Sequence, residues 1–429
     1  MKLDSDFPYL VVSDGSGNIF EIPETYMVGM ALNSYVLPER NDLIELPEGS
    51  DLFELPQRKP IGYNPDSKEF VEVQEYNGSP VFAAAAFMTP AYVQLYRSAY
   101  LSNSDAPILP LYAYTAVGWY EDKFYVTGKR IDHDPRQDFQ NFNFDLIEKN
   151  AEKMLLRYPN NRLVNHLIKN CVLQYGCPAA RNLVMNRWEC PVPTSPSCNA
   201  DCVGCISKQS ESSGICSSQN RISFVPSVEN IVEFTVPHLQ NAPQAIISFG
   251  QGCEGEPLMV ADIIEEAIKA IRKRTTKGKI NLNTNASMPE KIERLFKAGL
   301  DSIRVSMNSA QKIFYDLYHK PINYTFEDVV ESLKISHRFK RWSSLNYFVF
   351  PGFTDHVTEI AALEKLITET KVNMIQARNL NMDPEWYINV LGLSDLSDEF
   401  IGVRQWISLF QNKLPGIRFG YFNPFQQLL

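Results

Sequence analysis

From residue 181 onward, short apolar runs alternate with amphipathic stretches, and no other feature restricts the possible folds as strongly. A first strand falls within 182–192. Further strands are expected at 245–249, Lys279–Thr284, Ser302–Met307, 345–350 and 372–377. Helical spacing fills the gaps, at 227–239, 258–274, 289–298, 310–318, 325–339, 357–368 and 400–412. The stretch 258–274 is the clearest, with Ile263, Ile264, Ala267, Ile268 and Ile271 on one stripe. Strands alternating with helices of this length pair in parallel through right-handed crossovers. Six such units, each about 30 to 40 residues long, are too few for a closed eight-fold barrel. A run at 416–421 is a candidate closing strand.

The reading is therefore an α/β fold, with a partial (βα)6 TIM-like barrel over 181–429 and an additional N-terminal β-rich (α+β) domain over 1–130. In that first domain, 9–12 and 18–22 flank the turn Asp14-Gly15-Ser16-Gly17 and suggest a hairpin whose second strand Pro23 ends. Further strands are expected at 51–55, 71–73, 81–87, 109–115 and 123–127. Apolar residues at helical spacing in 144–158 and 161–172 make 131–180 a helical bridge. Asp132-His133-Asp134 precedes Pro135 and a polar run and reads as a solvated linker.

The formal net charge of −9 argues against nucleic acid as a partner, since such binders carry a basic face. The longest strongly apolar block, 81–88, is far short of the ~20 residues that span a bilayer. Met1 to Asp6 lack a basic region followed by an apolar run, so no secretory signal is read there and a cytoplasmic location is expected. In a reducing compartment, clustered cysteines point to metal or redox chemistry rather than disulfides.

Seven of the eight cysteines lie between Cys171 and Cys216. Cys198, Cys202 and Cys205 form a CxxxCxxC run just after the first expected strand, at a strand end where a barrel of this kind places its chemistry. Three thiolates on one loop can hold three irons of a four-iron cluster, and the iron left over is open to chemistry. The same spacing also suits zinc, with Cys190 or Cys216 as a fourth ligand.

Three more polar elements follow in order. Gly255-Glu256-Pro257 ends the second strand. Asn281, Asn283 and Asn285 alternate along the third, and Arg304, Ser306 and Asn308 alternate along the fourth. Polar side chains on one face of a buried strand must find partners, so they line the barrel interior or its mouth. Asn346 and Tyr347 on the fifth strand, and Gln376, Arg378, Asn379 and Asn381 after the sixth, are further interior candidates.

CxxxCxxC followed by GEP and these two polar strands resembles the radical S-adenosylmethionine (SAM) enzymes over Cys198 to Asn308. The resemblance implies a 4Fe-4S cluster on Cys198, Cys202 and Cys205, with SAM bound at the open iron. It implies that Gly255, Glu256 and Pro257 present carbonyls to the SAM amino group. Asn283, Asn285, Arg304, Ser306 and Asn308 would meet its ribose and carboxylate. One electron, from a reductant such as flavodoxin or ferredoxin, would then cleave SAM to a 5′-deoxyadenosyl radical that takes hydrogen from a substrate.

Two positions depart from the pattern. Glu254 stands where a second glycine is common, and Gly204 where an aromatic residue often packs near the adenine. Cys171, Cys177, Cys190 and Cys216 remain as candidates for an auxiliary metal. The resemblance leaves the substrate open among a peptide or protein, a small molecule to be rearranged, and a methylation target. The rival reading is a non-catalytic protein stabilised by zinc or an iron–sulfur cluster.

Overall fold

The computed structural model describes residues 7–425, so the expectation drawn from Met1 to Asp6 lies outside the described residues. The N-terminal part is built on an 11-stranded sheet. Its first hairpin pairs Tyr9–Ser13 with Ile19–Met27, and Asp14 closes the turn by accepting from Ser16 N at 2.8 Å and Asn18 Nδ2 at 2.7 Å.

Pro23 does not end the second strand. The register jumps from Leu10↔Ile22 to Tyr9↔Tyr26, and Pro23 sits in the resulting bulge with Glu24 at φ 60°. A residue without an N–H is tolerated where the strand leaves its ladder. The strand expected at 109–115 is also absent. Pro110 interrupts it, and only Thr115 bridges to Ala86 and Arg97; the strand lies instead at Val117–Tyr120.

The bridge consists of α1 (Phe144–Arg157), α2 (Arg162–His166), a π-helix (Leu167–Gln174) and α3 (Pro178–Val184). Its apolar face, with Ile147, Ala151, Leu163, Leu167 and Ile168, joins the same core as the parallel sheet.

That sheet has seven parallel strands in sequence order: β1 (Glu189–Val192), β2 (Ile246–Phe249), β3 (Lys279–Thr284), β4 (Ser302–Met307), β5 (Trp342–Val349), β6 (Met374–Asn379) and β7 (Arg418–Gly420). The run near residue 416 is thus a seventh parallel strand on β6, with Met374↔Arg418 in register. Helices α4 (Val228–Asn241), α5 (Ala261–Arg274), α6 (Pro289–Ala298), α7 (Lys312–His319), α8 (Phe326–Arg338), α9 (Val357–Thr370), α10 (Pro384–Leu391) and α11 (Val403–Lys413) complete the units.

The two faces of the sheet differ in kind. Ile247, Phe249, Ile280, Leu282, Ile303, Val305, Met307, Leu345, Val349, Ile375 and Ala377 are buried in the apolar core. The alternate positions Ser248, Asn281, Asn283, Ser302, Arg304, Ser344, Asn346, Gln376 and Arg378 bond with one another. A parallel sheet packed on apolar layers on both sides reads as continuous hydrophobic strands. The mostly polar inner face, which also carries Trp342, Phe348 and Met374, marks a candidate site rather than a core.

The N-terminal sheet docks at the C-terminal ends of β5 and β6. Gln94 N donates to Asn379 Oδ1 at 2.8 Å, Leu32 N to Pro351 O at 2.8 Å, and Arg58 pairs with Asp383 at 2.9 Å. Among the described residues, no helix is long and apolar enough to cross a membrane.

Candidate active site

The cysteine loop leaves β1 at its C-terminal end and is held on three sides. Thr194 N and Ser195 N donate to the buried Glu254 carboxylate at 2.7 and 2.9 Å. Asp201 N and Val203 N donate to the carbonyls of His319 and Tyr318 at 3.1 and 3.0 Å, at the end of α7. Asn199 is clasped by Asn285 Nδ2 at 2.8 Å and Ser287 at 2.9 Å. These bonds fix the course of the loop that carries the thiols.

Cys198, Cys202 and Cys205 are half-buried. Burial first, then the nearby Glu256 charge, pushes the Cys198 thiol up to about 11. Burial, followed by Cys198 and Cys205, drives Cys202 well above the usual thiol range. Cys198 and Cys202 therefore need a cation to be held as thiolates, and the three sulfurs lie within electrostatic reach of one another. Cationic or polar donors face two of them: Arg221 Nη2 lies 3.4 Å from Cys205 Sγ, and His319 Nδ1 lies 3.4 Å from Cys202 Sγ.

Three sulfurs on one zinc at 2.3 Å sit about 3.8 Å apart. The only group drawn within 4.8 Å among the described residues is a different one, so the triad is spread more widely than a single ion requires. The three-thiol donor set, its spread and the donors aimed at its sulfurs fit an iron–sulfur cluster.

The Gly255-Glu256-Pro257 turn is built directly against this loop. Gly255 N donates to Ser195 O at 2.7 Å and Glu256 N to Ser197 O at 2.8 Å. A Cβ on Gly255 would stand 2.0 Å from the Ser197 carbonyl oxygen, so only glycine allows the approach. The Glu256 side chain turns inward, accepting from Leu258 N at 3.0 Å, Asn285 N at 2.8 Å and the Thr284 hydroxyl. Pro257 opens the short 3-10 turn that leads into α5. Burial pushes the Glu254 and Glu256 carboxyls up to about 7 against these bonds. Glu254, the departure noted in the sequence, is thus the clamp between the cysteine loop and the GEP turn.

The polar strand residues separate into groups. Asn281 and Asn283 stay on the inner face, with Asn283 Nδ2 reaching Gly250 O at 2.5 Å. Asn285 lies past the end of β3 and braces Asn199 instead of continuing the row. Arg304 is half-buried and donates to Gln376 Oε1 at 3.1 Å, while its Nε is buried and has no partner. Its charged neighbours include Arg378 and Glu189, and burial followed by Arg378 lowers its pKa to about 9. Ser306 sits one row further along, opposite Asn346. Asn308 donates to Phe314 O and Tyr387 Oη, and its Oδ1 is buried without a partner. Asn346 and Gln376 join Arg378 inside. Tyr347 faces the opposite way onto Glu359, and Asn379 is taken up by the N-terminal domain.

The cysteines Cys171, Cys177, Cys190 and Cys216 do not come together. Cys190 is sealed in β1 and Cys216 is exposed on the 208–221 loop, while Cys171 meets Cys253 instead. Sequence reading missed Tyr318, His319 and Arg221. A Cβ on Gly204 would lie 2.7 Å from Tyr318 Oη, so an aromatic side chain from α7 occupies the space beside this glycine. No local pattern around residue 318 signals that contact.

A sequence profile of the Radical SAM superfamily matches residues 192–363, which include the triad, the GEP turn and both polar strands. No curated protein matches. Among solved structures, the chain is similar to Streptococcus suis SuiB bound to precursor peptide SuiA, with 14% identity over 57% of this chain and 53% of that one, and a TM-score of 0.37. It is also similar to HydG, a maturase of the [FeFe]-hydrogenase (15% identity, 58% and 61%, TM-score 0.35), and to methylornithine synthase PylB (12%, 64% and 75%, 0.37). It spans less than two thirds of the length of the first two. Over residues 192–363, then, the chain is similar to the Radical SAM superfamily.

Proposed function

We propose that Cys198, Cys202 and Cys205 hold three irons of a 4Fe-4S cluster, and that SAM binds between this loop, the GEP turn and the inner ends of β3 and β4. The superfamily's enzymes carry this cluster and use SAM for radical chemistry. When bound, the pair supplies one-electron cleavage of the sulfonium and hydrogen-atom abstraction from substrate. The observation that supports the assignment is the packing of Gly255 on the Ser197 carbonyl, which joins the GEP turn to the loop that carries the three thiols.

In this reading the parallel sheet is the partial barrel, and its polar inner face lines the reaction chamber. Gly255, Glu256 and Pro257 shape the turn that receives the SAM amino group. Asn283, Ser306 and Asn308 are the ribose-side groups. Asn285 acts at one remove, by fixing the cysteine loop through Asn199. Tyr318 supplies the aromatic surface that Gly204 lacks. His319 and Arg221 donate toward the sulfurs and set the ease of reduction. The docked N-terminal sheet and the apolar cluster of Leu32, Leu111, Val203, Tyr318 and Met382 keep water from the chamber. Eight free thiols suit a reducing compartment, with flavodoxin or ferredoxin as electron donor.

Anaerobically reconstituted protein should bind four irons with matching sulfide and release 5′-deoxyadenosine from SAM under reduction. Cys202→Ala should reduce that release to background. A protein that takes up a single zinc on the triad and no iron would establish the non-catalytic alternative instead.

Arg304 and Arg378 converge on Gln376 inside the sheet, a pairing suited to a carboxylate or phosphate on the substrate, whether a peptide, a protein or a small molecule. Arg378→Met should therefore leave substrate-free 5′-deoxyadenosine release within about twofold while removing stimulation by substrate. Loss of the substrate-free release would move this pair to SAM itself.

A further inference from the structure

Outside the triad, one buried cluster has the composition of a metal site. His166, Cys171 and Cys253 place one ligand atom each within 4.8 Å of one another, and all three are at least nine-tenths buried. Cys171 and Cys253 sulfurs are 3.6 Å apart, too far for a disulfide and close to the separation of about 3.8 Å that two thiolates adopt on one zinc.

The backbone is shaped to gather them. His166 ends α2, and Cys171 lies five residues later in the π-helix. In an α-helix five residues turn the chain to about 140° away, on the far side. A π-helix bonds i to i+5 and brings the two side chains onto one face. The Asn170 amide meets His166 Nδ1 at 3.0 Å, and His166 Nε2 is buried with no hydrogen-bond partner. The atom at that distance is Asn170 Nδ2; exchanging the amide's nitrogen and oxygen, which have the same shape, lets the oxygen accept from Nδ1–H and leaves Nε2 with a free lone pair. This is the orientation that a second-shell partner gives a metal-bound histidine.

We propose that His166, Cys171 and Cys253 bind one Zn²⁺, which clamps the π-helix to the loop that carries the GEP turn. Two thiols each release a proton as zinc binds, and the two resulting negative charges neutralise the ion. The buried site then carries no net charge, which removes most of the desolvation penalty. Cys253 immediately precedes Glu254, so the ion would fix the residue that holds the cysteine loop.

This site stands independently of the triad's assignment. Holoprotein purified without oxygen should contain about one zinc per chain in addition to cluster iron. Co²⁺ in place of zinc should give the charge-transfer bands of a cobalt bound by two thiolates. Cys253→Ala should abolish both, and His166→Gln should weaken zinc at least about tenfold while circular dichroism shows the fold retained. The triple variant Cys198→Ala/Cys202→Ala/Cys205→Ala should lose iron and keep zinc. Absence of zinc from the wild type would overturn the proposal, as would a Cys171–Cys253 disulfide found by peptide mass, or zinc that leaves with the triad.

Discussion

His238 on α4 is 4% exposed; its Nε2 faces the Trp188 carbonyl at 3.0 Å and its Nδ1 has no partner. A neutral ring donating from Nε2 satisfies this arrangement, and burial lowers its pKa from 6.5 to about 4. As pH falls through 6.5, the unfolded chain takes up a proton that the native state refuses until about pH 4. The stability from this histidine is therefore complete above pH 6.5 and is lost progressively below it, by about 2 kcal/mol between pH 7 and 5. Glu254, Glu256 and Asp355 pull the other way, because burial raises their carboxyls to about 7, 7 and 6, and what they add is lost as pH rises toward those values. Comparing His238→Gln with wild type cancels those opposing contributions. Urea denaturation should show the stability gap shifting in the variant's favour by about 2 kcal/mol at pH 5 relative to pH 7; a gap independent of pH would refute the neutral-ring assignment. At this scale the sequence speaks where chemistry is contiguous, as in Cys198 to Cys205. It is silent on Tyr318 beside Gly204 or His166 beside Cys253, since those pairs exist only after the chain has folded.

At the scale of elements, periodicity carried most of the information. The polar and apolar alternation along β3 and β4 pointed to a lined interior because the two faces meet different surroundings. Where the reading failed, backbone geometry was set by tertiary packing. Leu163, Leu167, Ile168 and Val172 have spacing that suits an ordinary α-helix, yet the chain widens into a π-helix from Leu167. Pro23 reads as a strand end, but a bulge absorbs it and pairing resumes at Tyr26. The run at 416–421 did mark the seventh strand, which is three residues long and takes its place from its pairing with β6. The GEP turn shows both sides of this. Its residues were legible, while the reason for the glycine became visible only with the Ser197 carbonyl against it.

For the whole molecule, the central relation is between the N-terminal sheet and the mouth of the parallel one. Arg58 and Asp383 lie 325 positions apart and form a pair with side chains 2% and 3% exposed. The Arg58 guanidinium also reaches the carbonyls of Pro56 and Pro107 at 3.0 and 2.9 Å. Asp383 accepts from Leu109 N at 2.8 Å and caps α10 through Glu385 N and Trp386 N. No sequence pattern could pair these residues, because each is locally an ordinary charged residue in a turn or strand. Removing one member of a buried pair strands the other charge without water, which costs about 3–5 kcal/mol. Arg58→Met should therefore destabilise the protein by that amount. Asp383→Asn keeps an oxygen for the α10 cap and removes the stranded charge, so the double variant should recover part of the loss. The urea midpoints of the two single variants and the double one measure this coupling. If the pair holds the sheet over the mouth, Arg58→Met should also raise uncoupled 5′-deoxyadenosine release as water and alternative hydrogen donors gain access. Additive losses with unchanged release would show that the N-terminal domain is only tethered there.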